Sequence, residues 1–181
     1  MMKFEEKTLS KETIYKGKVI DVEKHFVELP DQQTSYREIV KHNGAVAICA
    51  VTPENNVLLV KQYRKAMEKE LLEIPAGKLE PGEDRESAAK RELEEETGYI
   101  ADSLTLIGEV YGSPGFCNEL ISIYFADNLK KGNMKLDEDE FVENINYTME
   151  DIEKAVNARS ISDAKTLIAF QYLLSNYNHS K

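Results

Sequence analysis

Residues 77–99 read GKLEPGEDRESAAKRELEEETGY. Turn signals bracket this stretch, Pro81-Gly82 near its start and Gly98 near its end. Between them the pattern predicts a helix over roughly 83–97, with Glu83 and Asp84 in the first turn, where they complement the positive end of the helix dipole. Only Ala88, Ala89 and Leu93 are clearly apolar, so the buried stripe is narrow. Glu92, Glu95 and Glu96 stand at helical spacing and share one face, where their charges repel. Arg91 can pair with Glu95 one turn on, and nothing basic follows. Charge alone reads as a solvated helix face. The same spacing also suits a hard divalent cation, Mg2+ or Mn2+, which takes carboxylate oxygens together with substrate phosphates.

The rest of the chain narrows the choice. Its 181 residues fit one domain with an added subdomain, and 41% hydrophobic residues suffice for a sizeable core. A net charge of -10 argues against nucleic acid or an anionic membrane as partner. An acidic enzyme still binds phosphates if it supplies a metal or local basic residues. No apolar run reaches the length of a membrane span, and the start, MMKFEEKTLSKE, lacks the apolar core of a signal peptide. Cys49 and Cys117 are the only cysteines and make no disulfide framework. The expected location is cytoplasmic.

Val19, Ile20, Val22, Phe26, Val27 and Leu29 favour strands, PDQQ from Pro30 reads as a hairpin turn, and YREIVKH returns as a second strand. AVAICAVT (45–52) is a continuous apolar run, as in a strand buried on both faces. VLLVKQYR (57–64), LLEIP (71–75), LTLIGEVYG (104–112), ELISIYFAD (119–127) and FVENINYT (141–148) are strand-like. Two helices finish the chain. Thr148 caps the first, and the second starts at Ser162 or Asp163 with a stripe of Leu167, Ile168, Phe170, Leu173 and Leu174. The order predicts helices packed on a mixed sheet, an α/β (α+β) fold.

Gly77, Glu83, Arg91-Glu92-Leu93, Glu95-Glu96, Gly98 and Tyr99 together resemble the Nudix box, G-x5-E-x7-R-E-U-x-E-E-x-G-U, with U apolar. All seven fixed identities match, and Tyr99 is aromatic where an aliphatic residue is usual. The resemblance implies a hydrolase that splits a nucleoside diphosphate linked to another group. It implies an α/β/α sandwich with a mixed sheet (44–181) and a small N-terminal antiparallel β subdomain (1–43). It implies that Glu92 and Glu96 hold the metal, that the Ala76 carbonyl joins them, and that Glu95 assists. Arg91 and Glu83 would orient the helix and its loop.

Other segments resemble the ADP-ribose pyrophosphatase branch of that family. Pro114 lies sixteen residues after Gly98, inside a Y-x-S-P-G-x-x-x-E pattern that runs from Tyr111 to Glu119. KQYRKAMEKELLEIPAG (61–77) implies that Arg64 contacts the phosphates or the terminal ribose, and the 111–119 pattern implies that Glu119 meets a ribose hydroxyl. LDEDEFVE (136–143) implies an acidic loop with Glu138 as base and Glu140 as a further metal ligand, so the catalytic set is Glu138, Glu95 and Arg91. YREIVKHNGAVA (36–47) implies that Arg37 reaches the ligand across a homodimer formed by residues 1–43. The implied reaction is Mg2+-dependent hydrolysis of ADP-ribose to AMP and ribose 5-phosphate. Three alternatives stay open: another nucleoside diphosphate derivative such as an NDP-sugar or dinucleotide, a non-catalytic ADP-ribose sensor, and a structural protein with a charged helix. By themselves SPG is also an ordinary turn, Arg64 an ordinary surface residue, and DEDE an ordinary solvated loop.

Overall fold

The computed structural model describes residues 3–136 and 140–177, which divide into two compact units. The first comprises Met1–Gly44 and Tyr111–Leu120; the second comprises Ala45–Val110 and Ile121–Lys181.

The first unit is an antiparallel sheet of β1 (Lys7–Lys16), β2 (Asp21–Glu28) and β3 (Thr34–Lys41), with β2 central. The Pro30 turn forms as the sequence predicts. Leu29 N donates to Gln33 O and Gln32 N to Leu29 O across it, Gln32 takes φ 67°, and Asp31 accepts from Gln33 N. Val19 and Ile20, expected in a strand, instead occupy the turn between β1 and β2, where Gly17 N donates to Ile20 O. β1 is KTLSKETIYK, exposed along its whole length, so no burial pattern betrays it in the sequence. The 111–120 segment is fastened to β3. Val40 bridges Cys117 in parallel, Val40 N donates to Phe116 O, and His42 N donates to Asn118 Oδ1.

In the second unit β4 (Ala45–Ala50) runs parallel to β10 (Leu120–Ala126) and antiparallel to β7 (Ala76–Lys78). β9 (Thr105–Tyr111) follows β10, which completes a mixed four-stranded sheet. A second sheet sets β5 (Val57–Arg64) between β6 (Lys69–Glu73) and β12 (Val142–Tyr147), all antiparallel. β8 (Tyr99–Ile100) and β11 (Lys130–Lys131) form a short ribbon.

The apolar run of β4 explains the layering. Val46, Ile48 and Ala50 pack on one side with Ala88, Ala89 and Leu93 of helix α1 (Arg85–Thr97). Ala47, Cys49 and Val51 pack on the other side with Ile152 of α2 (Met149–Asn157) and Ala169 and Phe170 of α3 (Ala164–Tyr172). A strand covered on both faces gains nothing from alternation, so every position is apolar. The result is an α/β/α sandwich. Leu93 is fully buried, and truncating such a side chain typically costs about 2–5 kcal/mol.

Thr148 caps α2 in a full capping box with Asp151, and Asp163 caps α3. The stripe expected on the last helix holds in part: Phe170 and Leu173 are fully buried, but Leu167 is 39% exposed, and Thr166 and Ala169 are buried beside them. Thr166 can face the core because its hydroxyl is satisfied there, accepting from Ile74 N at 2.8 Å and donating to Asp163 Oδ2 at 2.6 Å. Among the described residues, no helix is long and apolar enough to cross a membrane.

Candidate active site

Helix α1 begins at Arg85, two residues later than the charge pattern suggests. Asp84 is its N-cap, accepting from Ser87 N at 3.0 Å, and Glu86 is the acid of the first turn. Glu83 therefore lies outside the helix. Its carboxylate accepts from Arg91 Nε at 2.9 Å and Nη2 at 3.1 Å, and from Glu80 N at 3.0 Å. Gly98 ends the helix at φ 69°, where its N–H donates to Glu94 O.

Arg91 is a hub. Beyond the fork on Glu83, its Nη1 donates to Glu92 Oε1 at 2.8 Å and to Glu95 Oε2 at 2.9 Å. These bonds and the surrounding carboxylates raise its already high pKa. One guanidinium thus ties the loop before α1 to two acids of the helix, Glu92 and Glu95.

Glu92 and Glu96, one turn apart, face inward and are 8% and 3% exposed. Glu96 Oε2 accepts from Ala76 N at 2.9 Å, so β7 and α1 meet at this carboxylate. Burial raises the Glu92 carboxyl against the opposing pull of Arg91. Burial pushes Glu96 up to about 8, opposed by its bond from Ala76 and reinforced by the charges of Glu92 and Glu140. The charge of Glu140 acts on both acids. Glu138 lies outside the described residues.

The donor set is hard oxygen throughout, and a divalent cation would remove the cost of burying two carboxylates together. Among the described residues no three His, Cys, Asp or Glu side chains converge tightly enough to enclose a metal alone. Mg2+ commonly takes one or two carboxylates and completes its shell with water and phosphate oxygens. The backbone also leaves the necessary room. Glu92 occupies the space that a side chain at residue 77 would fill.

Arg64 stands in the field of Glu96, yet its fork is on Glu73: Nε to Oε1 and Nη2 to Oε2, both 2.7 Å. Lys165 of α3 completes that cluster. The sequence reading assigned nothing to Glu73 or Lys165. A glutamate inside LLEIP was the available signal, since a charge in a buried strand needs a partner. Arg85 was also passed over. It donates to Ala45 O and to Ser122 Oγ, and Ser122 donates to Glu109, which fixes the start of α1 to the sheet.

Arg37, Pro114 and Glu119 belong to the first unit. There Arg37 forks onto Glu6, with Nε at 2.8 Å and Nη2 at 2.5 Å. The Glu119 carboxylate lies 3.6 Å from His42 Nδ1, an atom that also accepts from Gly44 N.

Residues 41–168 match the NUDIX domain. The chain belongs to the Nudix family. An ADP-ribose pyrophosphatase of Bacillus subtilis (strain 168) is 53% identical over 175 residues, which cover 96% of this chain and 95% of that protein. A methanol dehydrogenase activator of Bacillus methanolicus is 51% identical over 172 residues, covering 94% of this chain and 93% of that protein. The crystal structure of an ADP compounds hydrolase matches with a TM-score of 0.82 over 96% of this chain and 94% of that one; at 22% identity it shows the shared fold. The chain is a Nudix hydrolase of the branch that holds the ADP-ribose pyrophosphatases. Glu83, Arg91, Glu92, Glu95 and Glu96 are thus the acids and the base of its Nudix box.

Proposed function

We propose that the protein hydrolyses the pyrophosphate of ADP-ribose to AMP and ribose 5-phosphate, with Mg2+ or Mn2+ as cofactor. The observation that carries this reading is the buried pair Glu92 and Glu96, one helical turn apart, in a chain 53% identical to an ADP-ribose pyrophosphatase over nearly all of its length. Glu92, Glu96, the Ala76 carbonyl and Glu140 would hold the cation. Bound there, it supplies neutralisation of pyrophosphate charge and a water acidic enough to act as nucleophile.

The chain's own groups do the rest. Arg91 holds Glu92 and Glu95 in fixed positions, so the acids need no reorganisation during the reaction. Arg64 keeps Nη1 available for a phosphate or ribose oxygen, because its other two nitrogens are engaged by Glu73. Glu138 is the proposed base. Arg37, Glu119 and the Pro114 turn are proposed to recognise the remainder of the substrate.

The proposed assembly is a homodimer through the first unit, where β1 is exposed along its length and carries Ile14 and Tyr15. Light scattering should return about twice the 20.6 kDa chain mass; a monomer that stays active on dilution would exclude shared sites. The acidic composition and the two unpaired cysteines support a cytoplasmic location.

The test is a panel of ADP-ribose, NADH, GDP-mannose and ADP-glucose with Mg2+, with Glu96→Gln alongside. Release of AMP from ADP-ribose, lost in the variant, is expected. Cleavage of another member instead would keep the chemistry and overturn the substrate. A second reading is favoured by the 51% identical relative, a methanol dehydrogenase activator: the protein acts on a dehydrogenase. It requires dehydrogenase turnover to rise when the protein is added.

A further inference from the structure

Glu73 is 1% exposed and carries two cations. Arg64 forks onto both of its oxygens at 2.7 Å, and Lys165 Nζ reaches Oε2 at 2.5 Å while holding Asp163 Oδ1 at 2.9 Å. Lys165 is 10% exposed and sits in the first turn of α3, beside the N-cap Asp163 and beside Thr166, whose hydroxyl accepts from Ile74 N. The start of α3 thus grips Glu73 and its neighbour at two points. Among the described residues, Arg64 Nη1 has no hydrogen-bond partner, and the side chain is 38% exposed.

We propose that Lys165 is a positioning residue of the active site: it holds Glu73, Glu73 holds Arg64, and Arg64 Nη1 is thereby presented to the substrate. The proposal rests on the reading of Arg64 as a substrate contact. An unrestrained arginine in the field of Glu96 would be drawn toward the acids that the cation requires. The fork on Glu73 prevents this, because two parallel bonds fix the guanidinium plane as well as its position. The fork in turn depends on Lys165. Without it, Glu73 keeps one cation for its two buried oxygens and Oε2 loses one of its bonds. Glu73 could then shift, and Arg64 with it. The bland competitor is a network that only stabilises the fold.

A double-mutant cycle separates the two. Lys165→Met, Arg64→Ala and the pair are compared for kcat and KM on ADP-ribose, with circular dichroism and thermal melts beside them. Lys165→Met is expected to raise KM about tenfold with a smaller change in kcat. In the Arg64→Ala background the same change should add less than about twofold. The loss of melting temperature should be larger in the Arg64→Ala background, where Lys165→Met leaves the buried Glu73 without either cation. An equal kinetic loss in both backgrounds, or a melting change with KM unmoved, would overturn the proposal. If Arg64→Ala itself leaves KM unmoved while Glu96→Gln abolishes turnover, the reading of Arg64 fails, and the proposal with it, but the hydrolase stands. Should Lys165→Met not fold, Lys165→Gln, which keeps the length and a donor, carries the cycle.

Discussion

The Glu92 carboxyl group fills the place that a side chain on Gly77 would need: a Cβ built on Gly77 would stand 1.9 Å from Glu92 Cδ and Oε1. The strand that enters α1 and the acid that leaves it share one volume, and only a glycine permits it. Gly77→Ala should therefore keep the fold, since the clash is with the end of a flexible side chain, yet displace Glu92. A loss of kcat/KM of about a hundredfold with little change in melting temperature is expected. Normal activity would mean that Glu92 works from another position.

Glu96 gives the metal-free protein a pH dependence of definite sign. Burial pushes its carboxyl up to about 8, against an ordinary glutamate value of 4.5. Below 4.5 both states are protonated and burial carries no charge penalty. As pH rises from there toward 8, the unfolded chain ionises more readily than the folded one, so stability is lost. In EDTA, the melting temperature of the wild type should fall relative to Glu96→Gln across that window. A divalent cation should reverse the difference above neutrality. Parallel curves for the two proteins would sink this account.

Arg91 cannot be replaced by lysine without loss, because its guanidinium serves three carboxylates, Glu83 through Nε and Nη2 and both Glu92 and Glu95 through Nη1. Arg91→Lys keeps the charge but not the fork on Glu83. A destabilisation of about 1–3 kcal/mol in urea unfolding is expected, with activity falling as Glu92 and Glu95 loosen. Lys90, paired with Glu86 on the helix surface, serves as the control: Lys90→Met should stay within about 0.5 kcal/mol.

Thr166 tests the junction between α3 and β6. Thr166→Val keeps the shape, but Ile74 N loses its buried acceptor and Asp163 loses a donor. A cost of about 1–3 kcal/mol is expected in equilibrium unfolding. Thr166→Ser, which retains the hydroxyl, should recover much of it. Equal losses in the two variants would assign the effect to packing rather than to the hydrogen bonds.

The sequence by itself determined the features that local physics controls. The β4 run announced a strand covered on both faces, and the caps at Thr148 and Asp163 marked two helix starts. The spacing of Glu92, Glu95 and Glu96, with the glycines around it, marked the acidic helix. Each signal needs only residues within a turn or two of one another. What the tertiary structure decided is where charges find partners. Glu83 leaves the helix because Asp84 is the better-placed cap and Arg91 holds it from outside. Thr166 displaces Leu167 from the core because Ile74 N supplies a partner from another element. Glu73 and Lys165 meet across 92 residues of chain, and Arg37 and Glu6 across 31. Periodicity carries no record of such pairs, since sheet register and helix docking alone set which distant side chains fall within reach.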